Sequence, residues 1–149
     1  MRTRAKVLLC SIAAGLLMIL AASVALASVD VHAIGRNNPK QAANYCLPWF
    51  NFSETYVDGV VLGVAVGAKK AEAIQAAESA GMTVDPGGWG DSRAGGVSLY
   101  DRQALLTAMS GQPFLTFYDE ADLRRGMTIR FRGDRVASVT VYYINTEAI

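Results

Sequence analysis

Residues 7–27 leave this chain little choice about its amino end. Arg2, Arg4 and Lys6 precede 21 consecutive uncharged residues that close on Ala25-Leu26-Ala27. A basic n-region, an apolar run and a small-x-small terminus together make a secretory signal. A run of this length also suits a bilayer-crossing helix of roughly 20 residues. Two outcomes therefore stand: cleavage after Ala27, or retention as an amino-terminal anchor. Both keep the basic end inside and export the remainder. Lipidation is not expected, because Cys10 lies near the start of the apolar run and not just after it.

Setting that segment aside changes the composition. The whole chain is 52% apolar with a net charge of +1. Without residues 1–27 it holds 11 Lys and Arg against 13 Asp and Glu, and about 47% apolar residues, close to the globular average. Such a chain is no polycation, and nucleic acid is not an expected partner. Cys46 is then the only cysteine, which excludes an intramolecular disulfide even in an oxidising compartment. The fold has to rest on its core, and about 120 residues suffice for one.

Residues 28–55 read as a tether punctuated by Gly35-Arg36-Asn37-Asn38-Pro39, with a short helix over 41–47 stopped by Pro48. The compact domain is expected over 56–149. Val57, Val60, Val61, Leu62, Val64 and Val66 predict a strand, in which Gly59, Gly63 and Gly67 suggest a close backbone approach. Residues 69–80 predict a helix with Ala73, Ile74, Ala77 and Ala80 on one face and Gly81 just past its end. The stretch 85–96 (DPGGWGDSRAGG) is loop. A second helix follows, with Asp101 as N-cap, Leu105, Leu106 and Met109 at helical spacing, and Gly111 and Pro113 as stops.

The remainder alternates as strands over 114–118, 127–132 and 135–144. A two-residue turn at Gly133-Asp134 sets Arg132 opposite Arg135 and puts the apolar set 127/129/131 on one face with 136/138/140. A three-residue loop or a bulge restores the match with Val139 and Val141, placing Phe131 opposite Arg135 and Ile129 opposite Ala137. The bulged hairpin is preferred, and it sends Arg130 and Arg132 outward beside Val136, Ser138, Thr140 and Tyr142. The element order predicts an α+β fold, with two short helices packed on one face of a three- to four-stranded, mainly antiparallel sheet, after an amino-terminal signal or anchor helix.

The stretch Val60-Val61-Leu62-Gly63-Val64-Ala65-Val66-Gly67-Ala68-Lys69-Lys70-Ala71-Glu72-Ala73-Ile74, followed later by Met127-Thr128-Ile129-Arg130-Phe131-Arg132-Gly133-Asp134-Arg135-Val136, resembles the SmpA/OmlA-like envelope domains. That superfamily also contains β-lactamase-inhibitor-like modules. The resemblance covers about 80 residues and implies a small periplasmic module that binds protein partners and has no active site. This chain departs from the pattern in lacking a lipobox and in carrying the long glycine-rich loop.

Chemistry-bearing residues are sparse. His32 is the only histidine and no carboxylate pair accompanies it in sequence, so neither a histidine triad nor a His/Cys metal site is expected. Cys46, between Tyr45 and Leu47-Pro48-Trp49, reads as a covered structural thiol. Gly63-x3-Gly67-Ala68-Lys69 lacks the spacing of a phosphate loop. Lys69 and Lys70 stand at a helix amino end, where the dipole disfavours cations by roughly 0.3–1 kcal/mol. They read as solvated surface lysines, with an anion or acidic partner as the other reading. Arg132-Gly133-Asp134 spells an adhesion tripeptide, but a hairpin turn accounts for all three residues. Asp85 and Asp91 lack the alternating carboxylates of a calcium loop. Asp119, Glu120 and Asp122, ahead of Arg124 and Arg125, read as a solvated turn with local charge pairing. No catalytic residue, metal or cofactor is assigned.

What is left is a surface. Arg124, Arg125, Arg130, Arg132 and Arg135 fall within twelve residues, and arginine beside tyrosine is the pairing enriched at protein interfaces. The candidate interaction residues are Arg124, Arg125, Arg130, Arg132 and Tyr142, with Trp89 on the glycine-rich loop as a second anchor. The expected partner is another envelope protein, with the membrane engaged only through an uncleaved amino-terminal segment. The expected location is periplasmic or secreted, or else the inner membrane, anchored by 7–27 with the domain outside the cytoplasm. The expected function is a non-catalytic exported protein-binding module of assembly or inhibitor/immunity type. The alternative is a small-ligand binder or enzyme that uses residues 85–96 as a lid.

Overall fold

A computed structural model describes residues 2–46, 51–85 and 107–145, with side chains from residue 11 onward. The chain divides into two compact units, residues 1–30 and 31–149. The first holds one helix, α1 (Arg2–Ala27). Its large apolar side chains between Ile12 and Leu26 are all more than half exposed. Among the described residues, no single helix is long and apolar enough to cross a membrane.

The second unit is α+β. Its helices are α2 (Val31–Asn37), α3 (Pro39–Tyr45) and α4 (Lys70–Ser79). Its strands are β1 (Phe52–Tyr56), β2 (Val60–Val61), β3 (Val64–Ala65), β4 (Met82–Val84), β5 (Phe114–Asp119), β6 (Asp122–Arg132) and β7 (Arg135–Tyr143). Residues 107–110 add a helical turn. Five strands form one antiparallel sheet in the order β1-β7-β6-β5-β4, and β2 pairs only with β3. Alternation in β5, β6 and β7 sends Leu115, Phe117, Met127, Ile129, Val139 and Val141 to one face, where all six are fully buried. Full burial of such a side chain stabilises by roughly 1.5–3 kcal/mol. Helices α2, α3 and α4 contribute Ile34, Ala42, Ala43, Ala73, Ile74 and Ala77 to the same core, so they cover that one face.

The segment expected as a tether is structured. Asn38 caps α3 by accepting from the Gln41 N–H at 3.1 Å, and Pro39 takes the first helical turn, where its missing donor is harmless. Gly35 lets α2 lie on β1: a Cβ there would stand 2.5 Å from the Tyr56 hydroxyl and collide with the Phe52 ring. β1 then adds an edge to the sheet, pairing from Phe52↔Tyr143 to Tyr56↔Val139. A strand built mostly of polar residues (FSETY) is invisible to a scan for apolar runs.

The strand expected over 57–66 is instead the β2–β3 ribbon. Leu62 (φ 47°) and Gly63 (φ 83°) both adopt positive φ between Val61 and Val64, the conformation of a two-residue hairpin turn. The glycines there supply positive φ. At Gly67 the backbone does meet β7 through its N–H bond to the Val136 carbonyl, but an added Cβ would meet nothing within 4 Å, so the contact does not depend on the missing side chain. The helix expected over 69–80 is α4, with Gly81 at φ 79° ending it. Of its expected buried face, Ala80 is exposed. The short β4 and the five-strand count were not foreseen. Asp101, Leu105 and Leu106 of the second expected helix lie outside the described residues, and Met109 is fully buried in the turn 107–110.

The β6–β7 hairpin combines both geometries weighed from the sequence. Arg132 pairs with Arg135 across the two-residue turn, Phe131 pairs with Val136, and a bulge at Ala137 then shifts the register to Arg130↔Ser138 and Ile129↔Val139. A bulge is present, but its extra residue is Ala137 on β7 and not a residue on the β6 side of the turn, so the register shifts in the direction opposite to the one expected. Phe131 therefore faces Val136 and not Arg135, and Ile129 faces Val139 and not Ala137. The apolar match of Ile129 with Val139 and Met127 with Val141 is what the core demands.

Candidate protein-interaction surface

The five clustered arginines separate in space. Arg125 points to the core side, where it is ion-paired with Asp119, itself buried. Arg124 Nε donates to Asp122 Oδ1 at 2.9 Å, and its guanidinium lies 5.3 Å from the centre of the Tyr143 ring. The Arg124 hydrogen bond, aided by Lys40 at 3.2 Å, holds the Asp122 carboxyl well below the usual carboxylate range against the opposing effect of its partial burial. Local pairing in the turn 119–125 is as expected, but Asp119 is not solvated. Arg124 and Arg125 are thus neutralised within the fold.

Arg130, Arg132 and Arg135 stay at the other end of the hairpin. Arg130 is exposed on the outward face, 5.7 Å from the centre of the Phe114 ring on β5. The Arg132 side chain is exposed and, among the described residues, makes no hydrogen bond or ion pair. Arg135 Nη1 donates to the Gly67 carbonyl at 2.8 Å. Lys69 joins them through an isolated bridge to Arg135, so residues far apart in sequence meet at the hairpin turn. Among the described residues, Arg36, Lys40, Arg124 and Arg125 have carboxylate partners within salt-bridge distance. Lys69, Lys70, Arg130, Arg132 and Arg135 have none, and all five lie around this end.

Lys70 departs from its expected role as a solvated lysine. Only 6% of it is exposed. Its Nζ donates to the carbonyls of Ser110 (2.8 Å) and Gln112 (2.7 Å) and sits 4.5 Å from the centre of the Phe131 ring. Burial pushes its pKa down, partly offset by the negative charge of Asp134. It ties α4 to the turn 107–112, so the helix amino end holds a structural cation and Lys69 alone projects as a surface charge. The Lys69 N–H is capped by Glu72 Oε2 at 3.1 Å.

Tyr142 lies on the outward face opposite Gly126, separated from Arg130 by the row in which Thr128 pairs with both Thr116 and Thr140. It is half-buried, and that burial, followed by the nearby Asp85 carboxylate, raises its phenol pKa. Trp89 and residues 86–96 lie outside the described residues. Sequence reading counted Arg135 in the arginine cluster but left it out of the candidate interaction residues, and it placed Lys69 at a helix amino end apart from that cluster. Helix–strand contact and turn geometry unite them, and neither has a local signature.

His32 does acquire a carboxylate, contrary to expectation: its Nδ1 is 3.2 Å from Glu54 Oε1 on β1. Its Nε2 lies 3.2 Å from Arg36 Nη2. A guanidinium only donates, so Nε2 accepts and Nδ1 carries the proton toward Glu54. Tyr56, with its ring centre 4.5 Å from the imidazole, donates its hydroxyl to the His32 carbonyl. Thr55 Oγ1 is bonded to Thr140 Oγ1 at 2.8 Å. The His32 contacts tie α2 to β1, and the threonine pair ties β1 to β7. Cys46, expected to be covered, is exposed at the end of α3. Among the described residues, no three His, Cys, Asp or Glu side chains group as a metal site requires.

No family model, curated protein or solved structure matches this chain.

Proposed function

We propose that this chain is an exported, non-catalytic module that binds another envelope protein through the hairpin end formed by Arg130, Arg132, Arg135 and Lys69. The observation that carries this reading is the sorting of charge. Among residues 31–145 with described side chains, every cation away from that end has a carboxylate partner, whereas the exposed cations at it have none. Arginine near an aromatic ring is the chemistry of interface anchors, and Arg130 over Phe114 supplies it. Export is supported by the uncharged run 7–27 and by the exposed apolar side chains of α1, a surface that water does not favour. The quoted resemblance to SmpA/OmlA-like domains supports the same class of module.

The test is capture from an envelope extract by the full chain and by the Arg130→Glu/Arg132→Glu variant. A discrete protein retained by the first and lost by the second is the expected result. Equal retention by both removes the hairpin end from the interface, and the absence of any retained protein removes the binding reading.

A further inference from the structure

The hairpin turn Gly133-Asp134 adjoins two clefts of opposite character. One, of about 420 Å³ against α4, has Glu78 and Asp134 in its wall beside Lys70. The other, of about 300 Å³, is lined by Gly67, Arg132, Arg135, Val136 and Ala137, with no carboxylate among these residues. The second groove follows from the backbone. Residues 67–69 run beside β7 as a short added strand, with the Gly67 N–H donating to the Val136 carbonyl and the Val136 N–H to the Ala68 carbonyl, each at 2.9 Å. The bulge at Ala137 breaks the β6–β7 register just beyond Val136.

Arg132 and Arg135 stand directly opposite one another across this hairpin. Like charges at a cross-strand pair are destabilising, and among the described residues no carboxylate lies within salt-bridge distance of either. Arg135 is pinned by one nitrogen to the Gly67 carbonyl, which leaves Nε and Nη2 unspent. All the donors of Arg132 are unspent. Guanidinium forks match the two oxygens of a carboxylate, and a charge-assisted pair of this kind is stronger than a neutral hydrogen bond.

We infer that this groove is a carboxylate-binding site, in which Arg132 and Arg135, flanked by Lys69, take an acidic stretch of a partner polypeptide. The inference rests on the protein-binding reading and narrows it to acidic side chains. Val136 and Ala137 supply a small apolar floor, which suits the methylenes of a glutamate better than a bare inorganic anion.

The test uses the full chain in a non-ionic detergent and a fluorescent deca-glutamate peptide, read by anisotropy. Saturable binding that weakens with added salt is expected, with at least tenfold loss in Arg132→Gln/Arg135→Gln and less than threefold loss in Arg130→Gln. Arg132→Gln alone guards against misfolding, since the Arg132 side chain makes no hydrogen bond or ion pair among the described residues, and it is expected to weaken binding severalfold. The inference is overturned by undetectable peptide binding, by an unchanged affinity in Arg132→Gln, or by displacement of the peptide by millimolar inorganic phosphate. It is also overturned if vesicles containing phosphatidylglycerol bind and deca-glutamate does not compete with them. If the envelope partner is still lost on charge reversal at 130 and 132 while deca-glutamate fails to bind, the groove is wrong and the module reading stands.

Discussion

Tyr142 fills the space above Gly126, its directly paired neighbour on β6. A Cβ on Gly126 would overlap the Oη and Cζ atoms of Tyr142 and stand 2.7 Å from the Phe117 carbonyl oxygen on the other adjacent strand. Glycine inside a long strand normally weakens it. Here the missing side chain is replaced by a cross-strand aromatic ring, the rescue that strand glycines recruit in designed sheets. The ring also shields the outward face where it would otherwise thin to backbone.

Gly126→Ala is expected to destabilise the fold by about 1–3 kcal/mol, the range for forcing a methyl into a packed site. Adding Tyr142→Ala should recover only part of the loss, because the Phe117 carbonyl stays in place. Urea unfolding of the single and double variants checks both statements; additive losses would contradict the contact.

Lys70→Met retains the stem but leaves the Ser110 and Gln112 carbonyls without their donor, an expected loss of about 1–3 kcal/mol near neutral pH. Because burial lowers the folded-state pKa of Lys70, the unfolded chain holds this proton more tightly. The folded state is penalised below the folded pKa, and stability rises as pH climbs from there toward the unfolded value near 10.4. The alkaline rise in wild-type stability, measured relative to Lys70→Met, reports it. Parallel pH curves would exclude it.

Asp122 titrates with the opposite sign. Its folded pKa is depressed, so its contribution is complete above the unfolded value of about 3.9 and is lost as pH falls below that toward the folded pKa. Asp122→Asn should cost roughly 0.5–1 kcal/mol at pH 7, as partly exposed ion pairs do. The gap from wild type should close in strong acid. Melting temperatures from pH 7 to pH 2 for both proteins decide this.

Gly35→Ala is expected to push α2 off β1 and lower stability by about 1–3 kcal/mol. The Leu62 amide, bonded to the Arg36 carbonyl at 2.8 Å, should lose hydrogen-exchange protection before the amides of β6 and β7. Unchanged protection at Leu62 would show that the α2–β1 contact is dispensable.

Periodicity carried part of this fold plainly. The alternations in FLTFYD, MTIRF and VASVTVYY, and the helix formers closed by Gly81, became β5, β6, β7 and α4, and the demand that Ile129 and Met127 meet Val139 and Val141 required a bulge. Segments whose order comes from partners were not legible. β1 is polar on its outward positions and is a strand because β7 offers an edge; α2 and α3 are too short to signal themselves and hold through Gly35, Ala42 and Ala43 against the sheet.

The same division runs through the charges. Sequence alone settled that the cations crowd between residues 124 and 135, that Arg130 and Arg132 share one side of a strand, and that an uncharged run of 21 residues precedes the domain. These are properties of composition and of the two-residue period. Which cations stay unpaired was decided by tertiary contact. The turn at 119–122 folds Asp119 and Asp122 back onto Arg125 and Arg124, α4 buries Lys70, and the added strand 67–69 carries Lys69 to Arg135. A side chain's charge is written in the chain, but its counter-charge is set by whatever the fold brings within a few ångströms.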